Sequence, residues 1–270
     1  MNIVLLTNQD LASNVAANLL LPSLQEHNVT IGLSSKVGGK QPKNAALQRL
    51  AFVEQMLFND IVSPLLEGKK SGESQFKPFS ELTSQPVVLF NHINSAEGIA
   101  QLSQMQPDLI ISIRFGKILK SPVLAVPKIG VLNLHSGLLP DYRGVMASFW
   151  ALLNGEQELG TTLHWIEDAS IDTGAIVATS KLKVAAEKSY LWHVLQLYFG
   201  GCPLILDAVN RLSLGKSLNG EVQHGEGAYF SFPSEQDIAQ LEKQGFALLN
   251  EQEVVEFYQT YYLELISGPL

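Results

Sequence analysis

Five short apolar runs restrict what this chain can fold into: NIVLL at 2–6, VTIGLS at 29–34, PVVLF at 86–90, PDLIISI at 107–113 and GVLNLH at 130–135. Each has the length of a strand, and the segments between them carry apolar residues at helical spacing. The clearest of these are DLASNVAANLLLPSLQE at 10–26, AALQRLAFVEQMLFNDIVSPLLEG at 45–68 and SAEGIAQLSQM at 95–105. Strands alternating with helices predict an α/β chain with a mostly parallel sheet and crossover helices. With 270 residues, 46% of them apolar and 16% charged, the chain can bury the core such a sheet needs.

Beyond residue 145 the reading continues with a short helix in MASFWALLNGE, strands in LGTTLHWI and AIVATSKLKV, and two helical patterns, SYLWHVLQLYF and PLILDAVNRLSLG. The character then changes. Residues 216–270 are expected to form a small C-terminal extension of a strand pair and helices, set against a catalytic domain over 1–215. Its last stretch, EQEVVEFYQTYYLELI, is amphipathic; it can close the domain or serve a homodimer, and packing on its own chain is expected.

Composition removes several function classes. The net charge of −8 argues against a nucleic-acid partner, and Lys36, Lys40 and Lys43, with Lys69 and Lys70, read as solvated loops. One cysteine, Cys202, leaves no internal disulfide or multi-cysteine metal site and fits a reducing cytoplasm. No run is long enough to span a bilayer and no leader is recognised at the N-terminus, so neither membrane nor export is expected. The first turn, LLTNQDLAS, lacks the glycines that let a dinucleotide pyrophosphate approach the backbone, and neither a phosphate loop nor a zinc-binding His-Glu-x-x-His occurs. Chemistry without a metal is therefore expected.

The segment NLHSGLLPDYRG at 133–144 is the most informative. Asn133 and His135 stand two apart at a predicted strand end, so their side chains share a face. Asp172, in SIDTG, ends a neighbouring strand candidate. An amide N–H can stabilise an oxyanion, an imidazole can carry a proton near neutral pH, and a carboxylate can set that imidazole's orientation. Together these serve acyl transfer. The same residues can instead satisfy loop backbone groups and shape a turn, and spacing alone leaves both readings open.

The run from PDLIISIRFGKIL through NLHSGLLPDYRG to IDTGAIV resembles the folate-dependent formyltransferases, including the N-terminal domain of methionyl-tRNA formyltransferase and the small-molecule N-formyltransferases. The resemblance spans about residues 1–210 and is strongest over 107–177. It implies a Rossmann-like open sheet with helices on both faces, and transfer of a formyl group from N10-formyltetrahydrofolate to an amine. It implies that Asn133 binds the formyl oxygen, that His135 assists the oxyanion and moves a proton, and that Asp172 holds His135 and relays the proton of the amine. By the same resemblance the folate lies against Phe115, Gly116, Ile118, Leu119, Leu139, Asp168 and Ile171, and the acceptor near Tyr142, Arg143, Gly144 and Tyr229.

Arg114 departs from the small or apolar residue frequent in these relatives; it either meets an acidic group on folate or acceptor or closes a salt bridge. Ala147, Phe149 and the helical stretch over 44–68 also depart from the tRNA enzyme's pattern. The acidic residues after Gly215 lack the charge a tRNA would demand, so the acceptor is expected to be a small primary amine, an amino sugar nucleotide or amino-acid derivative. Methionyl-tRNA formyltransferase-like activity and formyltetrahydrofolate hydrolysis are the alternatives, with a folate-binding protein that has lost catalysis as a third. His27, His164, His193 and His224 have no motif around them and are assigned no role.

Overall fold

A computed structural model of the chain describes residues 1–35, 44–67, 76–225 and 227–262. Lys36, Lys40, Lys43, Lys69 and Lys70 lie outside the described residues. In chain order the elements are β1 (Asn2–Asn8), α1 (Leu11–Leu20), β2 (Asn28–Ser34), α2 (Ala45–Ala51), α3 (Ser63–Leu66), β3 (Val88–Leu89), α4 (Ala96–Gln104), β4 (Leu109–Ile113), α5 (Ser121–Leu124) and β5 (Gly130–His135). They continue with β6 (Arg143–Gly144), α6 (Ala147–Leu153), β7 (Glu158–Trp165), β8 (Ile176–Lys183), α7 (Tyr190–Ser213), β9 (Tyr229–Phe230), α8 (Glu235–Lys243) and α9 (Glu251–Tyr261). Between α2 and α3 the helix persists with the wider π pitch over Phe52–Val62, making one rod from Ala45 to Leu66 where the sequence predicts a 45–68 helix, whose last residue lies outside the described residues.

The larger sheet runs β3-β2-β1-β4-β5-β7-β8. It is parallel through β5, while β7 is antiparallel to both β5 and β8. The strand order reverses beside β1, so the carboxyl ends of β1, β4 and β5 form the edge where open sheets bind ligands. Strand β1 shows why the runs are continuously apolar. Ile3 and Leu5 pack in one core with α1 and α7, and Val4 and Leu6 in a second with α4 and α5, so both faces are covered.

Three elements differ from the sequence reading. The two helical patterns at 189–215 are a single helix, α7, that runs through Pro203. Gly200 and Gly201 let it approach the sheet: a Cβ on Gly201 would sit 2.8 Å from Thr161 Oγ1, and one on Gly200 3.1 Å from Ser180 Oγ. That close packing offsets the backbone bond Pro203 cannot make. PVVLF pairs over two residues only, Val88 and Leu89 against Gly32 and Leu33, because it is the edge of the sheet. The strand pair expected within residues 216–270 is formed with an earlier segment instead: β9 pairs in parallel with β6 of the 133–144 segment. Helix α9 turns Val254, Phe257 and Tyr258 inward onto its own chain.

Candidate active site

Residues β5 contributes at its carboxyl end come together as the period of two requires. Asn133 and His135 share a face, and the antiparallel register places His164 of β7 opposite Asn133 and Thr162 opposite His135. The Asn133 amide nitrogen lies 3.0 Å from His164 Nε2. His164 Nδ1 lies 2.9 Å from the Trp165 carbonyl, and its Nε2 stands between the Asn133 amide and Asp172 Oδ1. The Asn133 side chain is thereby oriented at the carboxyl end of β5.

His135 is buried, with Nε2 2.6 Å from the Tyr142 carbonyl and Nδ1 3.4 Å from Asp172 Oδ2. Asp172 stands between two imidazoles, its Oδ1 3.5 Å from His164 Nε2, and accepts the Gly144 N–H at 2.9 Å. Burial opposes its charge, yet His135, His164 and the Gly144 N–H outweigh that penalty and hold the carboxyl down at about 2. The carboxylate is therefore ionised and can orient a ring or receive a proton through it. Asp172 occupies the left-handed region, φ 56°, which turns its side chain back toward β5.

Gly144 shows why its position takes no side chain. Its φ is 96°, and a Cβ there would collide with the Phe230 carbonyl and crowd the Tyr229 ring. Arg143 N–H donates to the Ala228 carbonyl at 2.9 Å, and Tyr229 opposite it in β9 is 56% exposed at the rim. Tyr142, directly before β6 in the chain, is buried. Its hydroxyl donates to Glu156 at 2.7 Å and its ring stacks on Phe230 at 5.7 Å, so what it supplies to His135 is its carbonyl.

The residues expected around folate divide. Ile118 is 53% exposed and Ile171 36% exposed, apolar side chains at the surface of the two expected segments. Asp168 is exposed and accepts the Ser170 N–H, and Gly116 N–H donates to Ser34 Oγ. Phe115 is half-buried against the second core. Leu119 is buried and packs in that core. Leu139 is buried as well, its N–H donating to Thr162 Oγ1.

Arg114 forms the expected salt bridge, with two carboxylates. With φ 56° it turns inward, Nε and Nη2 at 3.2 and 3.0 Å from Asp10 Oδ2 and Nη2 at 2.9 Å from Glu54 Oε1. Burial raises the Asp10 carboxyl, but Arg114 and the bonds from Asn8 and Ser13 bring it below its ordinary value. Glu54, raised by its own burial and by Asp10 against the pull of Arg114, is pushed up to about 7.

His164 is the residue that sequence reasoning missed. It lies within the alternating strand LGTTLHWI, where any one position looks like core, and it acquires meaning only opposite Asn133. Among the described residues, no group of three or more His, Cys, Asp or Glu side chains could hold a metal ion, and no helix is long and apolar enough to cross a membrane.

An open α/β sheet with an amide, two imidazoles and an ionised carboxylate at its carboxyl edge brings together the groups that acyl transfer uses. Residues 59–191 match the family described as "Formyl transferase". Over 186 residues the chain is 28% identical to a methionyl-tRNA formyltransferase of Kosmotoga olearia, an alignment covering 69% of this chain and 60% of that protein. Among solved structures, the fold superposes with a TM-score of 0.59 on an N-formyltransferase from Helicobacter canadensis in complex with folinic acid and dTDP-3-aminofucose, at 19% identity, covering 94% of this chain and 82% of that one. A sugar N-formyltransferase from Shewanella matches with a TM-score of 0.56 at 16% identity, over 90% of this chain and 87% of that one. The chain is thus similar to formyltransferases, the family match taking in just under half of it. It spans about half to three fifths of the length of the first curated relatives it matches.

Proposed function

We propose that this chain transfers a formyl group from N10-formyltetrahydrofolate to the primary amine of a small molecule, an amino sugar nucleotide being the class best supported. One observation carries this reading: an amide hydrogen of Asn133, the His135 ring and an ionised Asp172 converge on one edge of the sheet. The folded neighbour from Helicobacter canadensis is named with folinic acid and dTDP-3-aminofucose, and its fold covers 94% of this chain, which supports both substrate classes. The exposed apolar side chains of Ile118 and Ile171 suit the faces of a flat pterin, so the residues present fit the donor. When bound, that donor supplies the formyl carbon.

The chain's own residues would do the rest. Asn133 would donate an amide N–H to the formyl oxygen as charge develops there. An alkylammonium cannot attack, so the acceptor's proton has to leave, and the ionised Asp172 carboxylate, with His135 Nδ1 beside it, is placed to take it. Methionyl-tRNA is the second acceptor to consider, because the curated sequence relatives bear that activity in their names.

The test is release of tetrahydrofolate from N10-formyltetrahydrofolate by the purified protein, with amino sugar nucleotides, amino acids or methionyl-tRNA as acceptors. Release that depends on an amino sugar nucleotide is the expected result. Release that depends only on methionyl-tRNA would replace the acceptor, and release without any amine would make the chain a hydrolase.

A further inference from the structure

The carboxylate at the centre of the site is held from outside the catalytic segment. The side-chain amide of Gln223, in the C-terminal extension, donates to the backbone carbonyls of Asp172 at 2.9 Å and of Gly174 at 2.8 Å. Both amide hydrogens are thus aimed at the loop that carries the carboxylate. The Gln223 carbonyl oxygen is buried with no partner among the described residues. Turning the amide over would satisfy nothing, since it would set that oxygen against two carbonyls, so the loop itself fixes the orientation.

The rest of the same segment grips the loop's flanks. Glu221 and Ile176 exchange backbone bonds at 2.8 and 2.7 Å, and the Leu218 carbonyl accepts from the Trp165 indole at 3.2 Å. Further along, β9 fixes β6, and β6 supplies the Gly144 N–H that meets Asp172 Oδ2. A left-handed φ at a residue other than glycine persists only where its surroundings over-determine it. At Asp172 these contacts are what over-determine it.

We infer that Gln223 is a positioning residue for the reaction: by clamping the carbonyls of Asp172 and Gly174 it holds the Asp172 carboxylate against His135. The inference rests on the proposed transferase reading for its kinetic consequence, but its structural half does not depend on any substrate. Neither the 133–144 motif nor SIDTG reveals it, because Gln223 lies about fifty residues downstream in the extension.

The variant Gln223→Met keeps the length of the side chain and removes both N–H groups; Gln223→Ala serves if the methionine packs poorly, and Val222→Ala, at a neighbouring exposed position, is the control. Thermal melts first establish that each is folded. In amine-dependent tetrahydrofolate release, kcat is expected to fall by about 10- to 100-fold with KM for N10-formyltetrahydrofolate changed by less than about threefold, the pattern of a misplaced catalytic group. Independently, carboxyl NMR without substrate follows the titration of Asp172, assigned with Asp172→Asn. The groups facing that carboxylate are His135 from β5, His164 from β7 and the Gly144 N–H. Its midpoint is expected to climb from about 2 toward the ordinary 3.8 once the clamp is gone.

Unchanged kcat together with an unchanged Asp172 titration in a folded Gln223→Met protein overturns the inference, as does a lowered melting temperature with kcat intact. If the wild-type protein transfers formyl to no amine while the Asp172 titration still moves in the variant, the functional reading fails and the positioning role stands.

Discussion

Asp172 shows how one carboxylate can report on the whole site. It is ionised well below the ordinary carboxylate range because the charges and donors facing it exceed the cost of its burial. A carboxyl depressed in the folded state adds stability that is present above its unfolded value of 3.8 and is lost as pH falls to about 2. The shift corresponds to about 2 kcal/mol at 1.36 kcal/mol per pH unit. Asp172→Asn should therefore flatten that part of the acid unfolding curve, as followed by circular dichroism from pH 5 to pH 2. For His135→Ala we expect turnover to fall by about 10²- to 10⁴-fold, the range for a lost general acid–base group, while folate binding measured by calorimetry persists. At this scale Asn133 and His135 were legible because strand alternation is a local property. His164, Gln223 and the inward turn of Arg114 were not, since each depends on a partner distant in the chain.

At the scale of elements, close approach decides more than propensity. Helix α7 lies on β7 and β8 through Gly200 and Gly201, and the glycines that would weaken an isolated helix are what allow this one to pack. Gly201→Leu should force the helix off Thr161 and Leu134 and destabilise the fold by about 1–3 kcal/mol in urea titration, the usual cost of overpacking. Gly144→Ala combines a left-handed φ with a collision at the Phe230 carbonyl, so it should separate β6 from β9 and lower transfer activity more than stability. Pro203 suggested a helix break from the sequence. Packing of the flanking turns against a sheet overrode it, as tertiary contacts commonly override local preference.

Across the whole molecule, Arg114 ties together three distant pieces of chain: the turn after β1 through Asp10, the end of β4, and the helical rod through Glu54. Glu54, pushed up to about 7 from an ordinary 4.5, binds its proton more tightly folded than unfolded. Its contribution is therefore greatest below pH 4.5 and is lost as pH rises to about 7. Melting temperatures should accordingly decline over that window in the wild-type protein and decline less in Glu54→Gln, which keeps an oxygen for Arg114 without the charge.

The sequence alone determined the class of sheet, the covering of both its faces and the likeness to formyltransferases, because periodicity and a contiguous motif are carried by neighbouring residues. Tertiary structure alone decided that β9 completes the motif loop, that His164 orients Asn133, and that Arg114 is held internally by two carboxylates. Each of these joins residues between about thirty and one hundred positions apart. Local pattern cannot encode which such pairs meet; strand register and the paths of the connecting loops do.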